Sequence, residues 1–255
     1  MSLFTPHALS PVPVAGAELH VGVAGREGAP WLVLLHGGLG SMEDWAAWVP
    51  ALARTHCLLA LDSRGHGRST LGEAPLTYPR LESDVVAVMD ALGIARAAFL
   101  GFSDGGITAM RLAAFHPDRV QSLAVAGAQW RLAPEDPARE ILASVTPAFW
   151  RAHFPASVDA YERGNPEADF PRLVASVVAL WLDGEGYPGE AVGRIQAPML
   201  SLRGTEDFLL SESDHVALGD RLPQARCIAI PGADHGAFLG AADPFLAPVW
   251  AHFQP

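Results

Sequence analysis

The chain has 255 residues, half of them hydrophobic and 18% charged, with a formal net charge of -11. That length suits one large core with a modest insertion rather than two domains, and the acid excess excludes ready binding to nucleic-acid phosphates or anionic lipid. Lysine is absent, every cationic side chain other than histidine being arginine, which removes Schiff-base chemistry and a Walker-type phosphate loop, since both need an amine.

The stretch MSLFTPHALSPVPV has no basic region followed by an apolar run, and no window holds eighteen uninterrupted apolar residues. The expectation is a cytoplasmic protein without a membrane segment. AELHVGVAG (17–25) alternates apolar and polar residues, as an antiparallel edge strand or hairpin would. PWLVLLH (30–36), HCLLALD (56–62), AAFLGFS (97–103), VQSLAVAG (120–127), APMLSLRG (197–204) and ARCIAIPG (225–232) are continuous apolar runs instead. That is the pattern of strands buried on both faces. Amphipathic stretches at 44–55, 78–93, 105–117, 211–222 and 237–253 read as helices between them. The alternation predicts an α/β fold, a mostly parallel sheet of about eight strands with helices on both faces. It breaks once, at 128–194, where Pro-rich aromatic pieces such as PAFWRAHFP carry no strand-like run. Residues 1–127 and 195–255 therefore form the expected core, and 128–194 a helical cap insertion. Cys57 and Cys227 lie in strand-like runs with no ligand spacing and read as buried reduced thiols.

GFSDGG (101–106) stands where the strand at 97–103 must become a helix, and fits G-x-S-x-G at Gly101, Ser103 and Gly105. In so sharp a turn the serine backbone is strained and side chains at the flanking positions would collide with neighbouring backbone, hence the glycines. Ser103 would then stand at the carboxyl end of the strands, where ligands of open α/β sheets bind. A serine hydroxyl needs a base that is itself oriented by an acid. GTED (204–207) and GADH (232–235) each follow a strand and supply Asp207 and His235, in the order serine, acid, histidine. Glu206 and Asp234 are rivals for the acid; Asp234 adjoins His235, and Glu206 lies one position nearer the strand. HGGLGS (36–41) is a Gly-rich loop after another strand, so the amides of Gly38 and Asp104 are assigned to an oxyanion hole. His36 and His66 read as residues that hold loops, and Asp62 and Arg64 as ties within DSRGHGRS (62–69).

HGG, DSRGHGRS, GFSDGG, GTED and GADH, in this order across nearly the whole chain, resemble the α/β-hydrolase family. Asp104 directly after the nucleophile, with a helical cap between the sixth and seventh strands, makes the chain similar to the valacyclovir hydrolase-like serine esterases of that family. The resemblance and the residues together imply a serine hydrolase of a small-molecule carboxylic ester, lactone or thioester. Such an enzyme would work through an acyl-enzyme with no metal or organic cofactor, as a monomer or homodimer. Carbon–carbon bond hydrolysis, enol-lactone opening and perhydrolysis could use the same residues, and a ligand receptor of this fold is the non-enzymatic alternative. Serine at 103 excludes the haloalkane dehalogenase and epoxide hydrolase chemistries, which use an aspartate nucleophile. Asp104 has two readings, pairing with a cationic substrate group or favouring a helix N-terminus through the macrodipole; the second is preferred. Leu39, Asp104, Trp130, Phe149, Trp150, Trp181 and Phe208 are assigned to the substrate pocket; most aromatic residues of the insertion, which also include Phe154, Tyr161 and Phe170, read as the small core of the cap, and the sequence does not divide them between core and pocket.

Overall fold

The computed structural model describes residues 2–241 and 243–254. In chain order the elements are β1 (Thr5–Pro6), β2 (Val12–Val14), β3 (Ala17–Leu19), β4 (Val21–Gly25), β5 (Trp31–Leu35), α1 (Val49–Leu52), β6 (Cys57–Leu61), α2 (Tyr78–Ala91), β7 (Ala97–Phe102), α3 (Asp104–Phe115) and β8 (Val120–Ala126). There follow α4 (Ala138–Ala143), α5 (Pro147–His153), α6 (Pro155–Gly164) and α7 (Phe170–Leu182), then β9 (Met199–Gly204), α8 (Glu212–Arg221), β10 (Arg226–Ile230) and α9 (Asp243–Phe253).

Eight strands form one sheet in the order β1-β4-β6-β5-β7-β8-β9-β10. β4 is antiparallel to both neighbours and the remaining pairs are parallel. Successive side chains of a strand face opposite ways, and here both faces are covered. Val33, Leu35, Phe99 and Val125 pack with Val85, Val88, Ile107 and Met110 of α2 and α3. Leu32, Leu34, Leu100 and Ala124 pack on the other side with Met42, Trp45, Trp48, Phe245 and Val249. Double burial is why these runs show no polar alternation. The helix starts are capped as their residues dictate: Thr77 accepts the Arg80 N–H ahead of α2, and Ser211 accepts the Asp214 N–H ahead of α8.

Three expected elements differ. AELHVGVAG is not one strand, because Ala17–Leu19 pairs with β2 in a separate two-stranded sheet while Val21–Gly25 enters the main sheet between β1 and β6. The His20 N–H between the two donates to Ser69 Oγ at 2.8 Å rather than to a strand. The stretch 44–55 is a 3-10 turn (Met42–Trp45) and then the single turn of α1, since Pro50 lacks an N–H and is tolerated only in a first helical turn. At 237–253 a 3-10 turn (Gly236–Gly240) ends on Ala241 in the left-handed region, φ 49°, before α9 begins. The two cysteines are free but half-buried rather than buried. Cys57 opens its strand and Cys227 lies on β10, the outermost strand of the sheet.

Between β8 and β9 the described residues form helices, 3-10 turns and loops, with no strand. Among the described residues, no helix is long and apolar enough to cross a membrane.

Candidate active site

The chain passes from β5 to β6 on one side and then to β7 on the other. This switch point opens a crevice at the carboxyl ends of the strands, and the loops leaving β5, β7, β8, β9 and β10 meet there. Ser103 follows β7 with φ 50° and ψ -118°, a conformation that costs a non-glycine residue about 1–3 kcal/mol and persists only where the surroundings enforce it. They do so here. The Ser103 N–H donates to Ala126 O at 2.9 Å, and Ser103 O accepts the Ile107 N–H at 2.9 Å. A Cβ on Gly101 would lie 2.5 Å from the Gly105 carbonyl oxygen, and one on Gly105 would run into the Leu35 carbonyl.

His235 Nε2 lies 3.2 Å from Ser103 Oγ, and His235 Nδ1 lies 3.0 Å from each carboxylate oxygen of Asp207. With the Nδ1 hydrogen donated to Asp207, Nε2 is left as the acceptor for the serine hydroxyl. The amides of Leu209 and Leu210 donate to Asp207 Oδ1 at 2.9 and 3.0 Å, fixing the carboxylate from behind. Burial opposes ionisation of Asp207, but the His235 hydrogen bond and charge, aided by those amides, outweigh it and hold the carboxyl below its ordinary range. Glu206 and Asp234 are exposed, and Asp234 accepts the Ala237 N–H at 2.9 Å in a local turn.

Gly38 and Asp104 border the cavity that Ser103 opens into. Among the described residues neither amide donates to a protein acceptor. Leu39 beside them has φ 58°, a second strained non-glycine residue at this edge. His36 uses both ring nitrogens on backbone: Nδ1 donates to Gly37 O at 2.7 Å and Nε2 accepts the Ser63 N–H at 2.9 Å. Burial drives its pKa down to about 4, so the ring is neutral at physiological pH and holds the loop. His66, likewise lowered by burial to about 3, donates from Nδ1 to Arg64 O. Asp62 accepts the N–H groups of Met42 and Arg68, and Arg64 makes a buried pair with Asp84.

Asp104 is buried, and its carboxylate accepts from Tyr78 Oη at 2.8 Å and from Trp181 Nε1 at 2.9 Å. Tyr187 Oη donates to Trp181 O at 2.9 Å, so the end of α7 is tied to the residue after Ser103. Burial raises the Asp104 pKa, the bonds from Trp181 and Tyr78 offsetting only part of it. The sequence pointed to the helix dipole at this position; it did not reveal the two neutral donors.

The cavity measures about 390 Å³, within the range of small-molecule sites. Leu39, Asp104, Phe149, Trp150, Trp181 and Phe208 all line it, as does Phe154, which the sequence leaves undivided between cap core and pocket. Trp130 does not line it. Its indole donates to Asp214 O at 3.1 Å and lies under the Arg131 guanidinium, which anchors it against α8. Sequence reasoning also misses Gly127, which directly follows β8 with φ 57°; a Cβ there would lie 2.9 Å from the His235 ring. A glycine closing an apolar strand run was the available signal.

A family profile described as "alpha/beta hydrolase fold" matches residues 30–180. Among curated relatives, the putative carbamate hydrolase RutD of Caulobacter sp. (strain K31) is 30% identical over 243 residues, covering 85% of this chain and 88% of the relative. Esterase YbfF of Escherichia coli (strain K12) is 27% identical over 231 residues, covering 84% and 89%. Among solved structures, the enol-lactonase from Burkholderia xenovorans LB400 superposes with a TM-score of 0.71 at 30% identity, covering 94% of this chain and 97% of that one. The profile stops short of β9, whereas the enol-lactonase superposition covers 94% of this chain. On fold, motif order and extent of similarity, the chain belongs to the α/β-hydrolase fold family.

Proposed function

We propose that the chain is a serine hydrolase of small-molecule carboxylic esters, lactones included. The observation that carries this reading is the continuous path from Ser103 Oγ to His235 Nε2 to Asp207, at 3.2 and 3.0 Å, on the wall of a cavity. Ser103 Oγ attacks the carbonyl carbon while His235 Nε2 takes the hydroxyl proton, and Asp207 keeps the imidazole in the tautomer that can accept it. The oxygen of the tetrahedral intermediate turns toward the amides of Gly38 and Asp104, donors of a kind worth about 3 kcal/mol of barrier each. His235 then returns the proton to the departing alkoxide, leaving an acyl group on Ser103. Water, deprotonated by the same imidazole, hydrolyses that acyl-enzyme and releases the acid.

Lactone opening is included because the enol-lactonase is 30% identical to this chain over nearly its full length. Hydrolysis of p-nitrophenyl acetate by the wild type, with kcat about 10⁴-fold lower in Ser103→Ala and in His235→Ala, is the expected result. A fluorophosphonate probe should label Ser103 and leave Ser103→Ala unmarked. A wild-type chain that neither turns over nor takes the label would be a ligand receptor of this fold instead.

A further inference from the structure

Eight large apolar side chains stand well exposed among the described residues, and four of them, Ile141, Phe149, Phe154 and Phe208, line the mouth of the cavity at 38 to 58% exposure. The other four are scattered: Leu3 and Leu9 in the N-terminal segment, Val216 on α8, and Phe115 at the end of α3 beneath the guanidinium groups of Arg111 and Arg194. Scattered apolar residues on a surface need no explanation, whereas a cluster continuous with a site does. α5 sharpens the point because it has no buried residue: Trp150 packs partly against the core, while Phe149 stands exposed.

The rings are held in place. Phe149 stacks on His153 with centroids 4.1 Å apart, and His153 Nδ1 donates back to Phe149 O at 2.8 Å. Phe154 leans on Trp150 at 4.6 Å, and Phe208 on the His235 ring at 5.9 Å. An apolar surface thus runs from the nucleophile outward to solvent. Among the described residues no arginine lines the cavity, while the carboxylates of Asp44 and Asp104 do. On α5, Arg151 is paired with Glu162.

We propose that this rim is the outer part of the substrate site and that it takes the distal end of an apolar chain, belonging to an uncharged ester or lactone too long for the cavity. The assignment rests on the serine hydrolase reading and names its substrate class. With no arginine among the described lining residues, an anionic substrate has no fixed cationic partner there, and a net charge of -11 without lysine disfavours seating the rim on an anionic bilayer.

Two ester series test this, p-nitrophenyl acetate to dodecanoate and ethyl to decyl acetate. In at least one, kcat/KM should climb beyond four carbons by about two- to fourfold per methylene. The double variant Phe149→Ser/Phe154→Ser, and separately Phe208→Ser, should flatten that slope, lowering the ratio of the ten-carbon to the two-carbon substrate about tenfold. In parallel, Ser103→Ala is titrated calorimetrically with uncharged alkan-2-ones of the same lengths. Affinity should rise with length, and the rim substitutions made in that background should remove the rise.

Profiles flat beyond four carbons in both series and in the ketone titration would overturn the assignment. So would rim substitutions that scale every length equally, or sedimentation with phosphatidylcholine vesicles that the same substitutions abolish, since the rim would then dock lipid. Absence of turnover together with length-dependent ketone binding would remove the hydrolase reading and retain the rim as an apolar chain site.

Discussion

Replacing Gly127 by alanine tests whether the geometry at the end of β8 sets the position of the imidazole. A Cβ at this residue would lie 2.9 Å from His235 Cε1, 3.0 Å from its Nδ1 and 3.3 Å from Asp207 Oδ2. The ring must yield by several tenths of an ångström. Independently, φ of 57° costs an L-residue about 1–2 kcal/mol, which in a chain this long lowers Tm by about 2–4 °C per kcal/mol. Ring displacement opens the 3.2 Å Ser103–His235 contact, and since misplacement of about 1 Å costs on the order of 10²-fold in rate, kcat/KM should fall about 10- to 10²-fold. Gly93→Ala is the matched control. Gly93 has φ 69° and nothing within 4 Å of where its Cβ would stand, so alanine there carries the backbone cost without the contact. Ester kinetics and thermal unfolding of both variants decide the matter. Gly127→Ala that loses Tm but keeps kcat/KM within twofold of wild type would refute the reasoning, and so would Gly93→Ala if it lost activity to the same extent.

Asp207→Asn should lower kcat about 10⁴-fold by favouring the wrong imidazole tautomer. Because the folded-state pKa of Asp207 is lowered, its ionised form contributes stability that is present above the ordinary carboxyl range and lost as pH falls through the lowered value. Urea midpoints from pH 7 to pH 3 should therefore converge for wild type and variant at the acid end. Asp104 has the opposite sign: its pKa is raised by burial, so its favourable contribution is full below the ordinary carboxyl range and declines as pH rises through the raised value. Asp104→Asn should consequently gain stability over wild type between pH 4 and pH 8 in urea unfolding, and a gap that shrinks with rising pH would count against this. The same variant should leave the ratio of kcat/KM for an α-amino ester and its deamino analogue unchanged. Trp181→Phe removes the indole donor from a buried carboxylate and should cost about 1–3 kcal/mol, seen as a lower Tm than in the Asp104→Asn/Trp181→Phe double variant.

What was readable in the sequence was whatever local chemistry enforces. A doubly buried strand must be apolar throughout, so five of the six runs coincide closely with β5, β6, β7, β8 and β9; the sixth coincides with β10, an edge strand that is only partly buried although its sequence is as apolar. The elbow was readable because the clashes at Gly101 and Gly105 admit no other residue. The first sheet strand was not, because Ala17–Leu19 and Val21–Gly25 have one alternating pattern and differ only in distant partners, β2 and β6. Trp130 was misassigned, and Phe154 left without a place, for a related reason. An aromatic side chain satisfies a cap core or a cavity wall equally well by composition, and what separates them is the Asp214 carbonyl in one case and an open face in the other.

This contrast follows the division of work in the molecule. The groups proposed to react stand on the ends of parallel strands whose register is held by neighbours on both sides, so a few glycines suffice to aim them. The walls proposed to choose a substrate stand on α4 to α7, which the chain builds between β8 and β9 without a sheet to align them. The two parts meet at Asp104, whose N–H is one of the two proposed oxyanion donors and whose carboxylate receives the Trp181 indole from α7. A buried carboxylate held only by neutral donors is a poor source of stability, so its energetic cost there is best understood as the means by which the helices between β8 and β9 are registered on the turn at Ser103. On that argument, substitutions along α5 should alter which substrates are used, whereas substitutions at Asp104, Tyr78 or Trp181 should alter all substrates together.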